Sequence, residues 1–558
     1  MDGAVIERVS GPPCRGAQEL QEFSPEMIHS PRANPTATAR EWLLLAGMAT
    51  AAALTASTTA AQTVDRVSVS SAGTQAQPTD GGIDDGSTCQ GISDDGRYIV
   101  FCSVAPNLIE GRTITGRQVY LRDRVLDTTV LVSGVAGTPG DDASGPARIS
   151  GDGSAVVFES LATNLVAGDT NAAADVFVWE RQTGAITRVS VSSAGTQAGA
   201  ASADVLGPVI SADGRYVAFA SNAGDLAPGG MAGTTQIYRH DRQTGTTIRI
   251  STSTEGLTGD RVSSGPDISG DGDTVAFRSA SRNLVPGDTN LVSDIFLRRV
   301  SAGATTRVSL TAAGGQITGS SSNATINRAG TLVAFTSFAD VTGQATALAN
   351  VYVRDLTAES TVRLTQPLPG AGGGAVVGGA ARPAFSGNGR FIAVSTTDNT
   401  LYPGDDNGAA DVLLYDLQSA PAVPLRLSFG LGGTGPAPGP GALPDDAPWC
   451  DNSSAHPSLS FDGLVTAFDS LATNLVAGDT NGVHDVFITV RTAPPPPPPA
   501  CLADITADGT VDGDDFIAFI NSFAIGDASV DAAADVIADG TIDGTDFIEF
   551  INAFSAGC

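Results

Sequence analysis

Ile210-Ser-Ala-Asp-Gly-Arg-Tyr-Val-Ala-Phe-Ala-Ser221 decides the fold, because the chain repeats it seven times. An apolar residue, Ser, any residue, Asp and Gly lead into a short apolar run that ends in Ser. Copies begin at Ile92, Ile149, Ile210, Ile268, Ile326, Phe385 and Leu459. Self-similarity at a fixed period is the mark of a repeat architecture. Asp-Gly between two β-runs is a strong hairpin signal, so each copy supplies two adjacent strands. A third strand follows, as in Asp175-Val-Phe-Val-Trp179 and Asp294-Ile-Phe-Leu-Arg298, and a fourth after a Thr-Gly turn, as in Thr187-Arg-Val-Ser-Val191. Four strands per unit, repeated radially, predict an all-β propeller with seven blades.

The count of fourth strands predicts how the ring closes. The seventh unit stops at its third strand, Asp485-Val-Phe-Ile-Thr489, while Val64-Asp-Arg-Val-Ser-Val69 is a fourth strand with no unit before it. Residues 64–70 are therefore expected on the outside of blade seven. The propeller is assigned to residues 62–493.

Composition narrows the function. The net charge is −30, and all 30 basic residues are arginine, so lysine chemistry is absent. So acidic a chain lacks the clustered positive charge that nucleic-acid binding requires. Residues 42–54 form a 13-residue apolar run after Arg32 and Arg40, too short to span a bilayer, with small residues following to Ala61. Residues 1–61 thus read as a secretory signal region, with Met27 an alternative start. The mature chain would be secreted or at the cell surface, with no transmembrane segment.

Export makes disulfides permissible. Cys501 and Cys558 bracket the last segment and are expected to pair. Cys89 and Cys102 flank the first hairpin and could pair across it; alternatively Cys450 takes one of them.

Four units carry Gly-Asp-x-Asn-x-x-x-Asp between their second and third strands. The residues are Asp169, Asn171 and Asp175; Asp288, Asn290 and Asp294; Asp405, Asn407 and Asp411; and Asp479, Asn481 and Asp485. Their oxygens suit a hard cation such as Ca2+. The competing reading, an Asx turn closing a loop, needs no metal.

Residues 494–499 are six prolines, so 494–500 form a polyproline linker. Residues 501–558 hold twelve acidic and no basic side chains, in two near-copies that begin at Asp504 and Asp535. Each copy places acidic oxygens at loop positions 1, 5, 9 and 12, with Gly509 or Gly540 at position 6. That is EF-hand logic. Phe516-Ile-Ala-Phe-Ile520 and Phe547-Ile-Glu-Phe-Ile551 supply helical apolar faces.

Two resemblances follow from these motifs. Ser211 to Phe219 resembles the repeat of TolB-like (WD40-like) propellers over about residues 64–492, although that family is usually described with six blades. The terminal segment resembles a type I dockerin, a small α-helical module, which implies calcium-dependent folding and docking onto a cohesin-like protein. Carried over, Asp504, Thr506, Asp508, Thr510 (through its backbone) and Asp515 would hold one ion. Asp535, Asp539, Thr541 (backbone) and Asp546 would hold the other, with Asp512 and Asp543 acting through water. Ile537 removes one oxygen from the second loop.

No Gly-x-Ser-x-Gly or His-Glu-x-x-His motif is present, and only His240, His456 and His484 follow the signal region. The favoured reading is a secreted, non-catalytic binding or scaffold propeller, tethered through its terminal module. The alternative is a carbohydrate-active enzyme, a glycoside hydrolase or lyase, with its site in the propeller channel.

Overall fold

The computed structural model describes residues 62–77, 86–204, 206–339, 345–367, 379–402, 409–419, 424–428 and 455–492. Their strands form seven four-stranded antiparallel sheets and one two-stranded pair. Blade 1 runs Ser87–Ile92, Tyr98–Ser103, Gln118–Asp123 and Thr128–Leu131, from inner to outer strand. Blades 2 to 6 repeat that order, and the first strands of neighbouring blades touch all the way around the ring.

Blade 7 consists of Ala455–Leu459, Val465–Ser470 and Asp485–Arg491, and its outer strand is Gln62–Arg66 from the start of the ring. Val64 lies opposite Thr489 and Arg66 opposite Phe487, which is the closure the strand count predicts. Val67 N–H then donates to Val486 O at 2.7 Å.

The repeat is explained by its turn. Every turn glycine, Gly96 through Gly463, has φ between 68° and 73°, a region that strains any residue with a Cβ. In the first copy Asp95 Oδ1 accepts from Ser93 Oγ at 2.5 Å and from Arg97 N–H at 3.0 Å. The unspecified residue between Ser and Asp has a role of its own, because at six of the seven blade junctions the turn backbones hydrogen-bond to each other. Examples are Asp94 N–H to Gly151 O, Gly270 N–H to Arg328 O and Phe461 N–H to Asp94 O. That belt tightens one end of the ring. At Gly151 a Cβ would sit 2.4 Å from the Asp94 carboxylate, which explains why this position is so often Gly or Ala.

The Phe that ends each apolar run fills the blade centre. Phe101 stacks on Tyr120 at 5.5 Å, and five other blades repeat the pair across their second and third strands. Such pairs add about 0.5–1.5 kcal/mol each beyond the area they bury.

Of the alternatives left open for Cys89 and Cys102, a bond between the two is not formed. Cys89 lies opposite Phe101, whereas Cys102 lies opposite Thr88. Successive side chains in a strand point to opposite faces, so the two thiols occupy different cores. Cys89 packs with Phe101 and Tyr120 against blade 7, and Cys102 packs with Val119 and Ala147 against blade 2. Both are free and buried. Cys450, Cys501 and Cys558, the proline linker and both calcium loops lie outside the described residues, as does the signal region.

Candidate functional site: the axial cavity

The Gly-Asp-x-Asn-x-x-x-Asp motif is placed away from the ring axis, where third and fourth strands meet. Asp175, Asp294, Asp411 and Asp485 each begin a third strand and are buried. Each accepts a hydroxyl hydrogen bond, from Ser190, Ser309 and Ser428 at 2.6 Å and from Ser68 at 2.5 Å. Arg188, Arg307, Arg426 and Arg66 supply the counter-charge. Asn171, Asn290 and Asn481 donate to the second carboxylate oxygen and close Asx turns on Ala173, Val292 and Val483. Gln197 and Gln75 bridge Asp169 to Asp175 and Asp479 to Asp485; Gln316 joins Asp288 to Asp294.

These oxygens are engaged by the chain's own donors. Among the described residues no three acidic, His or Cys side chains are placed to hold a metal. The described copies of the motif thus form an Asp–Arg–Ser clasp that includes an Asx turn. Asp405 and Asn407 lie outside the described residues. In blades 1 and 3 the neutral Gln118 and Gln236 take the Asp position and accept from Ser133 and Ser251 at 2.6 Å. The Arg-Val-Ser runs at 66–68, 188–190 and 307–309 were the signal in the sequence, since they sit a constant strand away from the Asp.

The axis holds the cavity, about 240 Å³, lined by the innermost strands of all seven blades. Most of those strands carry a bulge two or three residues before their last apolar residue. A residue three or four positions before that apolar residue adopts positive φ. It is Gly145, Gly207 and Gly265 in blades 2 to 4, but Asn323, Arg382 and His456 in blades 5 to 7, at φ of 49°, 51° and 49°. For a residue with a Cβ this conformation costs roughly 1–2 kcal/mol. All three polar exceptions line the cavity.

Directly before the last apolar residue of the strand, blade 2 contributes Arg148 and blade 4 Asp267. Asp267 is held from blade 5 by Ile326 N–H at 2.8 Å and Thr325 Oγ1 at 2.7 Å, and burial pushes its carboxyl pKa up. Towards the belt, Arg328 of blade 5 pairs with Asp94 of blade 1 at 2.6 Å.

Two buried acids pin neighbouring blades beside the cavity. Asp469 of blade 7 accepts from Cys89 N–H of blade 1 at 3.0 Å; His456 Nδ1 lies 2.9 Å from it, and His484 Nδ1 3.6 Å. Two histidines 28 positions apart thus converge on one carboxylate, which no sequence spacing announced. Glu159, at the same strand position in blade 2, accepts from Asp204 N–H at 2.8 Å. Asp204 in turn accepts from the bulge Gly265 N–H. Burial, with a smaller push from Asp204, raises the Glu159 carboxyl to about 9. The third histidine, His240, is a core residue on Thr247 Oγ1 at 2.9 Å, and burial lowers its pKa.

A lined axial cavity inside seven strap-closed blades makes this protein a seven-bladed β-propeller. Its structure is similar to TolB from Acinetobacter baumannii, with TM-score 0.34 and 14% identity over 58% of this chain and 62% of that one. It is similar to an oligogalacturonate lyase from Vibrio parahaemolyticus, with TM-score 0.44 and 13% identity over 77% and 98%. It is also similar to the propeller domain of the Trilobed protease from Pyrococcus furiosus, described as having an open velcro topology, with TM-score 0.42 and 9% identity over 74% and 99%. No protein-family model and no curated protein matches the sequence.

Proposed function

We propose that the protein is an exported binding propeller that takes its ligand in the axial cavity and is tethered by a calcium-dependent terminal module. The observation that carries the binding role is the placement of backbone strain. Three polar residues in the left-handed region meet at one cavity, where three neighbouring blades use glycine. Strain of about 1–3 kcal/mol per residue is retained where the surrounding structure enforces it, and it clusters at ligand sites. The test is to screen small-molecule and glycan libraries against the full chain and against Ser458→Trp, which fills the cavity. Ligands that bind both proteins equally would refute the cavity as the site.

The tether rests on the duplicated acidic loops. Twelve carboxylates without a basic partner repel one another unless cations bind, and metal binding then becomes folding free energy. Calorimetric calcium titration of the full chain should show two unequal sites, both lost on truncation after residue 499. Asp504→Ala should abolish the tighter one, because Ile537 leaves the second loop a ligand short. A titration unchanged by truncation would refute the module.

A second reading, hydrolysis or lysis of a glycan in the cavity, is favoured by His456, which lines the cavity and lies 2.9 Å from the buried Asp469. Turnover in the same glycan screen, lost in His456→Ala, would establish it over pure binding.

A further inference from the structure

The ligand's chemistry can be read from the arginines, if the cavity is the binding site proposed above. Arginine grips a carboxylate best through two parallel N–H···O bonds. This chain does so three times on its surface with one edge of the guanidinium. Arg97 Nε and Nη2 reach the two oxygens of Asp123 at 2.9 and 2.7 Å. Arg215 does the same to Asp241 at 2.9 and 2.7 Å, and Arg390 to Asp416 at 3.0 and 2.6 Å.

In the cavity wall that edge is unfilled. Arg148 is half-buried and anchored through Nη1 alone, which donates to Gln90 O at 2.8 Å and to Ala147 O at 2.9 Å. Its Nε and Nη2 make no hydrogen bond among the described residues. Asp267, the acid that attracts it, has Oδ2 taken up by blade 5 and Oδ1 accepting from Ile268 N–H at 3.0 Å, and no ion pair forms between Asp267 and Arg148. Arg382 faces the same cavity from blade 6, on its left-handed bulge, with no ion pair among the described residues. The two guanidinium groups repel each other, and burial further disfavours the charge on Arg148.

Holding two like charges around one cavity opposes folding, and a bound anion would relieve it. The surrounding chain is acidic overall, but salt screens exposed charges over roughly 8 Å at physiological strength. Inside the cavity Asp267 offsets part of the positive charge on Arg148, and Arg382 adds a second cation with no ion pair among the described residues. Asn323 and His456, on bulges of the flanking blades, add polar groups that could orient the remainder of a ligand.

We propose that the axial cavity binds a small carboxylate, gripped side-on by Nε and Nη2 of Arg148 with Arg382 as the second cation. About 240 Å³ is below the roughly 300 Å³ at which pockets for drug-sized ligands begin, so the proposed occupant is smaller than such ligands.

Calorimetry of the full chain with acetate, lactate, succinate, citrate and glucuronate, each against its amide or, for glucuronate, glucose, tests this. At least one acid should bind with Kd below about 1 mM, and its neutral counterpart at least tenfold more weakly, since a hydrogen bond to a charged group contributes about 1.5–3 kcal/mol. Arg148→Gln and Arg382→Gln should each weaken that acid at least tenfold. Arg148→Lys should fail to restore it, because lysine keeps the charge but not the fork. Circular dichroism should show all three variants folded.

Three results would overturn the proposal: no acid binding, neutral counterparts binding equally, or tight binding that survives both glutamine variants. A neutral ligand lost in Ser458→Trp yet indifferent to both arginines would overturn the carboxylate while sparing the cavity as a site. Binding of any acid that is indifferent to Ser458→Trp would remove the cavity itself.

Discussion

Asp485→Ala should lower the unfolding free energy of the propeller by about 3–5 kcal/mol, the range found when one partner of a buried ion pair is removed. Asp485 joins the two ends of the ring. It accepts from Ser68 Oγ at 2.5 Å and from Gln75 Nε2 at 2.9 Å, and Arg66 Nε lies 3.4 Å away. Alanine would leave the mostly buried Arg66 without its nearest counter-charge and Ser68 without its acceptor. Burial already raises the Asp485 carboxyl to about 6, against the hydrogen bonds that favour its charged form. Asp485→Asn, which keeps an acceptor but not the charge, should cost less. Urea unfolding followed by circular dichroism measures the loss. Hydrogen exchange should place the first opening in blades 1 and 7, whereas Asp294→Ala, the same clasp inside one blade, should open blade 4. A loss below about 1 kcal/mol for Asp485→Ala, against the range expected for a buried pair, would show that strand pairing alone closes the ring.

Glu159→Gln should stabilise the protein at high pH and leave it almost unchanged at low pH. The Glu159 carboxyl titrates at about 9 in the folded protein, against an ordinary value of 4.5. A raised carboxyl means that folding favours the protonated form. Its contribution is fully present below about pH 4.5 and is lost progressively as the pH rises to 9. Glutamine copies the neutral acid, and its Oε1 can still accept from Asp204 N–H. The variant should match the wild type at pH 4.5 and gain about 2 kcal/mol or more by pH 9, since each tenfold change in a protonation equilibrium is worth about 1.4 kcal/mol. Urea midpoints measured at several pH values would show the gap widening. A gap independent of pH would mean that Glu159 is charged in the folded protein.

The distribution of what was legible follows from the range of the interactions involved. Strand and turn positions are local: Asp-Gly at positive φ, alternating side chains and the Phe that fills a blade centre all act over a short stretch of chain, so seven copies could be counted directly. Ring closure spans the propeller, yet it was readable because an orphan fourth strand and a blade missing one must match. Whether Cys89 and Cys102 could meet was decided by register. Cys89 and Cys102 are near neighbours in a hairpin, but their place one step out of phase puts the thiols on opposite faces.

The clasp around Asp485 was read by its oxygens alone. Which donor meets an oxygen, a cation or the guanidinium of Arg66, depends on a strand from the opposite end of the ring, and no spacing carries that. The cavity was the least visible. Arg148, Asn323, Arg382 and His456 belong to four different blades, and each looks ordinary within its own repeat. By itself, then, the sequence determined the blade, the number of blades and the strand that closes them, because those are set by local geometry and repetition. Only the tertiary structure decided which charges are satisfied and which face one another across the axis, because closing a ring brings together residues that share nothing along the chain.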